Sequence, residues 1–198
     1  MNTVRRVHPA RWVMVSLLSL IGVIGAESPE WLPLFNGKDL TGWRAVHDAK
    51  FEANNGNLRL VGGMGWLRTD QEYRDFILDV ELRPLVERYD SGLFFRVGLD
   101  GKPWPTDGWQ INLRRDMWGA LVRGTQRILP ATGEGPDIED DTPWSKFRLE
   151  VRGVRAVLEL NGKKVWETDK IDRMSGYLGI QAEERSFEFR NFRIQTLP

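Results

Sequence analysis

The side chains best suited to chemistry alternate with apolar residues along several short segments of the chain. In a β-strand, such alternation gathers the polar side chains on one face. Two of the carboxylates, Glu81 and Glu183, are candidate general bases or acids, and the guanidinium of Arg96 is a candidate for stabilising a developing negative charge. The other members supply hydrogen-bond donors and acceptors, or an aromatic ring, to a polyhydroxylated ligand: Arg83, Trp109, Gln110, Asn112, Arg114 and Gln181.

These residues form one site only if their strands are neighbours in the same sheet. In that case we expect the polar faces to merge into a single surface that carries both signs of charge and the amide side chains. Trp66, Trp104 and Trp118 lie near the connecting segments, where their rings would pack against the C–H faces of a sugar. The alternative is plain scaffold, because any half-exposed sheet has alternating polar residues and tryptophan is common in sandwich cores.

Residue usage excludes several other kinds of active site. The chain has no cysteine, which excludes thiol catalysis and zinc–thiolate sites. It has two histidines, His8 and His47, and no G-x-S-x-G sequence, so nothing favours a serine hydrolase triad. The acidic run Glu139–Asp141 lacks the spacing of a calcium-binding loop. We predict no cofactor, and a requirement for a divalent metal stays open.

The first 26 residues have the pattern of a secretory signal. Arg5, Arg6 and Arg11 precede an apolar run, Trp12 to Ile24, and Ala26 supplies a small residue for cleavage. A retained membrane anchor is the alternative, but the run is shorter than the roughly 20 residues that a span needs. We therefore expect a signal peptide at 1–26 and a secreted or periplasmic domain at 27–198, with no membrane contact after cleavage.

The charge balance argues against polyanionic partners. The chain has 28 basic and 28 acidic residues, and removal of the signal takes away three arginines and no acid, which changes the formal net charge from 0 to −3. Such a surface does not favour nucleic acid or an anionic membrane. A small carbohydrate is the partner that the polar residues favour.

The dominant hydrophobic period is two, which predicts strands. One apolar set comprises Phe76, Leu78, Val80 and Leu82, and another places Phe187, Phe189 and Asn191 on a common face. Hairpin turns are predicted at Asn55-Gly56, Asp100-Gly101 and Asn161-Gly162, and Gly153 separates two further strands. No segment has a capped helical stripe. The sequence therefore predicts one all-β domain, an antiparallel two-sheet jelly-roll sandwich.

One connection is unusually long. The segment Leu129 to Pro143 contains three prolines, two glycines and five acidic residues. A connection of this length in a compact domain is either functional or mobile. We expect an exposed loop.

Five motifs, in order, carry a family resemblance: FNGKDLTGW at 35–43, GWLRT at 65–69, EYRDF at 72–76, DSGLFFR at 90–96 and FRNFRI at 189–194. Together they resemble the 3-keto-disaccharide hydrolase family, formerly catalogued as a domain of unknown function. The resemblance implies a concanavalin A-like jelly roll of the lectin and glucanase type. It also implies a secreted or periplasmic protein that acts on 3-keto-disaccharides or 3-keto-glycosides.

The chain departs from the family pattern at two places. Gln110 stands where relatives carry an acid, and the segment Ala182-Glu183-Glu184 lacks the histidine that relatives often have nearby. Two functions are thus carried forward: a hydrolase or lyase on 3-keto-glycosides, and a non-catalytic carbohydrate-binding module. A paired-carboxylate hydrolysis would use the same acids, and a structural cell-envelope domain is a third, weaker interpretation.

Overall fold

The computed structural model describes Met1, residues 30–131 and residues 133–198. The predicted signal at 1–26, which includes His8, lies outside the described residues except for Met1 and stays a prediction. No helix in the described ranges is long and apolar enough to cross a membrane. Those ranges contain one short 3₁₀ turn, Arg115–Met117, and fifteen strands: β1 Leu32–Pro33, β2 Trp43–His47, β3 Lys50–Asn54, β4 Asn57–Gly62, β5 Met64–Tyr73, β6 Phe76–Pro84, β7 Gly92–Val97, β8 Trp109–Asn112, β9 Leu121–Arg123, β10 Gln126–Leu129, β11 Ser145–Arg152, β12 Arg155–Leu160, β13 Lys163–Thr168, β14 Gly176–Glu183 and β15 Phe187–Thr196.

The strands form two antiparallel sheets, as the alternation predicts. Sheet I has the order β13-β12-β11-β6-β15-β4-β3, with β1 beside β15. Sheet II has the order β10-β9-β8-β7-β14-β5-β2. Neighbours such as β6 and β15 are distant in sequence, so most of the pairing is non-local. The prediction of an all-β two-sheet sandwich is confirmed.

The core lies between the sheets and is built from the predicted period-two residues. On β6, Phe76, Leu78, Val80 and Leu82 are each at most 3% exposed. Val80 lies opposite Phe147 of β11, and its neighbours continue the apolar face across sheet I. Each such side chain contributes about 1.5–3 kcal/mol through burial, so the alternation fixes which face of every strand turns inward.

Two of the predicted hairpins are confirmed. Asn55 and Gly56 join β3 to β4 with φ values of 49° and 81°, and Asn161 and Gly162 join β12 to β13 in the same way. Positive φ at both turn positions is the geometry that Asn-Gly tolerates best. Gly153, with φ 55°, separates β11 from β12 as expected.

The tight two-residue turn predicted at Asp100-Gly101 is wrong, although β7 and β8 form an antiparallel hairpin around it. These residues lie inside a longer connection, 98–108, between β7 and β8. Asp107 closes this loop, because its carboxylate accepts a 3.0 Å hydrogen bond from the Gly98 amide at the other end. A side chain at the loop base thus replaces the tight turn that the dipeptide suggested.

The last strand contains a bulge that the sequence pattern did not predict. Asn191 has φ 50°, and the register between β15 and β6 shifts between Arg190 and Arg193. The extra residue moves Phe192 into the core and leaves Asn191 exposed. The expectation that Asn191 shares the face of Phe187 and Phe189 is therefore wrong.

A buried ion pair closes one end of the sandwich. Arg96 of β7 is 0% exposed, and its guanidinium lies 2.8 Å from the carboxylate of Asp75 in the β5–β6 turn. It also donates to the backbone carbonyl oxygens of Arg74, Gly153 and Arg173. Burial lowers the pKa of Arg96, and the nearby Asp75 charge opposes this change. The pair connects β7 of sheet II to three connecting segments: the β5–β6 turn, the β11–β12 turn and the connection between β13 and β14.

We expect Arg96→Met to lower the free energy of unfolding by about 3–5 kcal/mol, because the substitution leaves Asp75 without its cation and three carbonyls without their donor. Urea unfolding followed by tryptophan fluorescence measures the loss. Arg155→Met is the matched control, since the pair of Arg155 and Glu167 is solvent-exposed and should change stability by about 1 kcal/mol or less. Equal losses in the two variants would contradict the assignment.

Candidate functional site

The outer face of sheet II is centred on β14, which lies between β7 and β5. Leu178, Ile180 and Ala182 point into the core. The intervening residues of β14 face outward: Tyr177, Gly179, Gln181 and Glu183. Because β8 is the next strand beyond β7, its outward residues extend the same face.

A chain of hydrogen bonds between amide and carboxylate groups crosses this face. The side-chain Nε2 of Gln110 donates to Oε1 of Gln181, and Nε2 of Gln181 donates to Oε2 of Glu183 at 2.7 Å. Both glutamines are buried. The amide of Gln110 lies over Gly92, where an added Cβ would stand 1.9 Å from its Nε2. Gly92 thus permits the amide to lie flat and orient Glu183.

Glu183 ends this chain, and a second carboxyl group, that of Asp90, acts on it electrostatically. Burial raises the pKa of Glu183, and the negative charge of Asp90 raises it further. Burial also raises the pKa of Asp90. A carboxyl whose pKa is moved upward holds its proton closer to neutral pH and is the stronger base when ionised. The pair can therefore take up and release protons.

Arg114 is the cation with the largest electrostatic effect on these acids. Its charge opposes the upward pKa shifts of both Asp90 and Glu183. Asp116 holds the guanidinium through bonds of 2.5 and 3.0 Å and raises the pKa of Arg114. Asn112 accepts a bond from the Arg114 backbone amide at 2.9 Å and so positions the turn that follows β8. We call Asp90, Glu183 and Arg114 the carboxylate site.

A cavity of about 630 Å³ is lined by two members of the carboxylate site, Asp90 and Arg114, whereas Glu183 lies outside its lining. Asp90, Arg114 and Asp116 form one side of it. The opposite wall comes from the long loop 129–143, through Pro136, Asp137 and their neighbours. The loop that the sequence predicted as exposed is thus partly packed and adjoins the candidate site.

The loop is held against the sandwich by Tyr89. The Tyr89 hydroxyl donates to the carbonyl oxygen of Pro136 at 2.9 Å, and the Gly135 amide donates to the carbonyl oxygen of Arg115 at 2.8 Å. An added Cβ at Gly135 would lie 2.1 Å from the Tyr89 hydroxyl oxygen, so the contact requires glycine. Burial raises the pKa of Tyr89 to about 12, and it therefore acts here as a neutral donor.

Aromatic residues occupy the middle of the same face. Trp66 and Phe94 pack edge to face with ring centroids 5.9 Å apart. Trp104 and Tyr177 pack against this cluster. Of the three tryptophans predicted near the site, Trp118 is the exception, since it lies in the core between Tyr89 and Phe147.

The structure corrects the extent of the predicted polar surface. Glu81 and Arg83 belong to β6, which is in sheet I, so their side chains lie on the opposite outer face of the sandwich. Glu81 accepts bonds from Arg190 at 2.7 Å and Asn191 at 3.0 Å. Burial alone would raise its pKa, but these bonds outweigh burial and lower it. The expectation that β6 contributes to one merged surface is wrong.

The remaining sheet I residue and two sheet II residues are also engaged elsewhere. Arg83 is bonded to Glu188 at 2.9 Å. Arg96 is buried in the ion pair with Asp75 and does not reach the outer face. Trp109 points into the core, because it alternates with Gln110. Of the predicted site residues, the structure brings together Gln110, Asn112, Arg114, Gln181 and Glu183 on or beside one face.

Asp90 is the site residue that the sequence reasoning missed. It precedes Gly92 by two positions, so it continues the outward parity of β7 past the end of the strand. That parity was the signal available in the sequence. In the described ranges, no group of three or more histidine, cysteine, aspartate or glutamate side chains is arranged to hold a metal ion.

Comparison with known proteins supports this description of the fold. A family model for a 3-keto-alpha-glucoside-1,2-lyase-like domain matches residues 30–195. No curated protein matches the chain.

Solved structures give fold matches at low identity. A Parabacteroides distasonis protein described as a candidate glycosyl hydrolase aligns with TM-score 0.70 and 18% identity, over 85% of this chain and 94% of that one. The carbohydrate-binding module CBM66 of Bacillus subtilis gives 0.66 and 15%, over 80% and 98%. Bacillus licheniformis β-glucanase gives 0.61 and 14%, over 87% and 100%. These matches confirm the sandwich of the lectin and glucanase type.

The raised pKa of Glu183 predicts a pH-dependent effect of Glu183→Gln on stability. A carboxyl with a higher pKa in the folded state binds its proton more tightly there, so the folded protein loses stability as pH rises above the ordinary glutamate pKa. Gln cannot ionise, and its amide oxygen can still accept the bond from Gln181. At this half-buried site we expect Glu183→Gln to gain about 0.5 kcal/mol on going from pH 4 to pH 8, relative to wild type.

Thermal unfolding at a series of pH values tests this expectation. The difference in Tm between variant and wild type should grow with pH, by roughly 1–2 °C. Glu184→Gln makes the same charge change at the adjacent exposed position and should show no such trend. A difference that shrinks as pH rises would mean that Glu183 is stabilised as a carboxylate.

Proposed function

We propose that this chain, which belongs to the 3-keto-alpha-glucoside-1,2-lyase-like family, cleaves 3-keto-glycosides at the carboxylate site of sheet II. The observation that carries this proposal is the pair of carboxyl groups, Asp90 and Glu183, whose pKa values are both raised beside Arg114. Elimination next to a ketone needs a base, an acid and a positive charge for the enolate, and this site has residues for each role.

The first step is removal of the proton at C2. A ketone at C3 acidifies this C–H bond, because the electron pair that is released moves onto the ketone oxygen as an enolate. Glu183 is the proposed base, since its raised pKa makes it a stronger proton acceptor than an ordinary glutamate. The hydrogen bond from Gln181 fixes which carboxylate oxygen remains free.

The second step breaks the glycosidic bond. The enolate re-forms the ketone and a C1–C2 double bond develops as the electron pair of the C1–O bond leaves with the departing oxygen. Glu183, protonated in the first step, is proposed to pass that proton to the departing oxygen, while the Asp90 charge that raises the pKa of Glu183 stays in place. Addition of water across the new double bond, with oxygen at C1 and hydrogen at C2, would complete a net hydrolysis.

Arg114 is proposed to stabilise the enolate. The sequence interpretation gave this role to Arg96, which is instead engaged in an internal ion pair. Arg83, predicted to bind the ligand, lies on the other sheet. Asp116 holds the Arg114 guanidinium by two bonds and leaves the rest of it exposed at the cavity. A held guanidinium needs little reorganisation as charge develops.

We expect purified protein to release glucose from a 3-keto-α-glucoside such as 3-keto-trehalose, and Glu183→Gln to lower kcat by about 10²–10⁴-fold through loss of the base. The wild-type rate should rise with pH through a pKa above the ordinary glutamate value. Glucose release measured over a range of pH tests both statements. Glu184→Gln is the matched control and should keep wild-type activity.

Solvent deuterium separates the two chemical routes. In D₂O, elimination followed by hydration places deuterium at C2 of the keto-sugar product, whereas direct hydrolysis with a carboxylate pair does not. Early-time mass spectrometry of the product reads this out. Folded protein without any turnover above buffer would overturn the catalytic proposal.

A second candidate, a non-catalytic carbohydrate-binding module, is favoured by the bonded amides of Gln110 and Gln181. Neither amide can transfer a proton at ordinary pH, whereas both can bond sugar hydroxyls. Saccharide binding by calorimetry, with no product after long incubation and no effect of Glu183→Gln on affinity, would support this candidate over the lyase.

We also infer that the protein is exported and begins after Ala26. Support comes from Arg5, Arg6 and Arg11 and the apolar run that follows them. Intact-mass measurement of protein recovered from the extracytoplasmic fraction should give the chain from residue 27. Recovery of the uncleaved chain in the membrane fraction would favour the anchor instead.

A further inference from the structure

A second cavity, of about 540 Å³, lies on the outer face of sheet II away from the carboxylate site. Strands β2 and β5 contribute Arg44, Trp66 and Arg68, and the loop 98–108 contributes Asp100 and Lys102. Three of its lining side chains are cationic, and Asp100 is the acid among those described. We call it the cationic cavity.

Arg68 is the feature of this cavity that requires an explanation. It is only 8% exposed, yet no carboxylate of the described residues pairs with it. Its Nη1 donates to the carbonyl oxygen of Thr69 at 2.8 Å, and its guanidinium stacks 4.5 Å from the centroid of the Tyr177 ring. A buried charge without a counter-ion is unfavourable. An anion in the cavity would supply the missing counter-ion.

The neighbouring cations strengthen this requirement. Arg44 lies directly opposite Arg68 in the pairing of β2 with β5, and like charges in that position repel. Asp70 relieves this only weakly, because it is 3.7 Å from Arg44 in an exposed pair. Lys102 is exposed at the rim. An anion between these side chains would remove the repulsion.

The cationic cavity is in line with the carboxylate site along β14. Arg68 lies opposite Gly179, and Glu183 is four residues further along the strand, which corresponds to about 13 Å. Trp66, opposite Gln181, lies between them, and its ring covers Gly179, where an added Cβ would be 2.7 Å away. This spacing corresponds roughly to two sugar rings.

We propose that the cationic cavity binds an acidic substituent of the saccharide, a carboxylate, sulfate or phosphate, so that an acidic glycoside is bound in preference to a neutral one. Arginine suits this role because its planar N–H groups bond two oxygens of such an anion at once. The inference rests on the proposed function for the identity of the ligand as a sugar, and on Arg68 for its charge.

Binding by calorimetry tests the inference directly, with methyl α-D-glucuronide and methyl α-D-glucoside as probes that differ at C6 alone. We expect the glucuronide to bind at least about tenfold more tightly, and Arg68→Met to bring the two affinities within about threefold of each other. Glucose 6-sulfate and glucose 6-phosphate, run in parallel, identify which acidic group binds best. Added salt should weaken the acidic probes selectively.

Matched variants separate a binding role from a folding role. Arg152→Met, on the outer face of sheet I, removes an exposed arginine and should leave the preference unchanged. If Arg68→Met does not fold, Lys102→Met at the exposed loop should fold and reduce the preference severalfold. Circular dichroism and the unfolding temperature report the folded state of each.

Three results would overturn the inference. One is equal affinity for the glucuronide and the glucoside, which includes no detectable binding of either at concentrations up to about 10 mM. Another is a preference that survives in Arg68→Met or, where that variant does not fold, in Lys102→Met. The third is inorganic sulfate that binds as tightly as the glucuronide, which would assign the cavity to a free anion. Loss of turnover with the acidic preference intact would instead count against the proposed reaction alone.

Discussion

The sandwich depends on the buried pair of Arg96 and Asp75. Five hydrogen bonds run from the guanidinium to one carboxylate and three backbone carbonyls, which uses the full donor capacity of an arginine. These acceptors belong to turns that no strand ladder connects. The Asp75 carboxylate also accepts the Gly153 amide at 2.9 Å. One side chain thus fixes how these connecting segments meet β7, and the same contact holds sheet II in place.

The geometry of the outer face of sheet II depends on that framework. β14 is paired on both sides, so Gln181 and Glu183 have little freedom to move relative to β5 and β7. Gly92 lets the Gln110 amide lie flat on the sheet, and the bonded amides then orient the Glu183 carboxylate. The acids keep raised pKa values because they are partly buried, and Arg114 limits the electrostatic cost of having two of them together.

The sequence predicted what depends on local chemistry and missed what depends on pairing between distant strands. Alternation identified the inward residues of β6 and the outward residues Gln110, Gln181 and Glu183, because the period of a strand is intrinsic. It could not assign β6 and β14 to different sheets, so Glu81 and Arg83 were grouped with residues on the opposite side of the molecule. Bulges made the alternation unreliable at two positions, because Arg96, with φ 47°, and Asn191, with φ 50°, break the parity of their strands. Asp90 was missed because it lies just beyond a strand end.

The contact between Gly135 and Tyr89 divides the long loop into parts that differ in how much their sequence and length can change. The glycine and the following Pro136 are pinned to the sandwich by close packing and by two hydrogen bonds, so their positions tolerate neither a side chain at 135 nor a change in spacing. The described residues on either side are held differently, by exposed salt bridges from Arg115 to Glu134 and Asp137 and by bonds between Thr142 and Glu139. Such contacts tolerate a change in loop length more readily than the buried anchor does. The loop is therefore a natural module for redesign, in which the cavity wall is exchanged without refolding the scaffold beneath it.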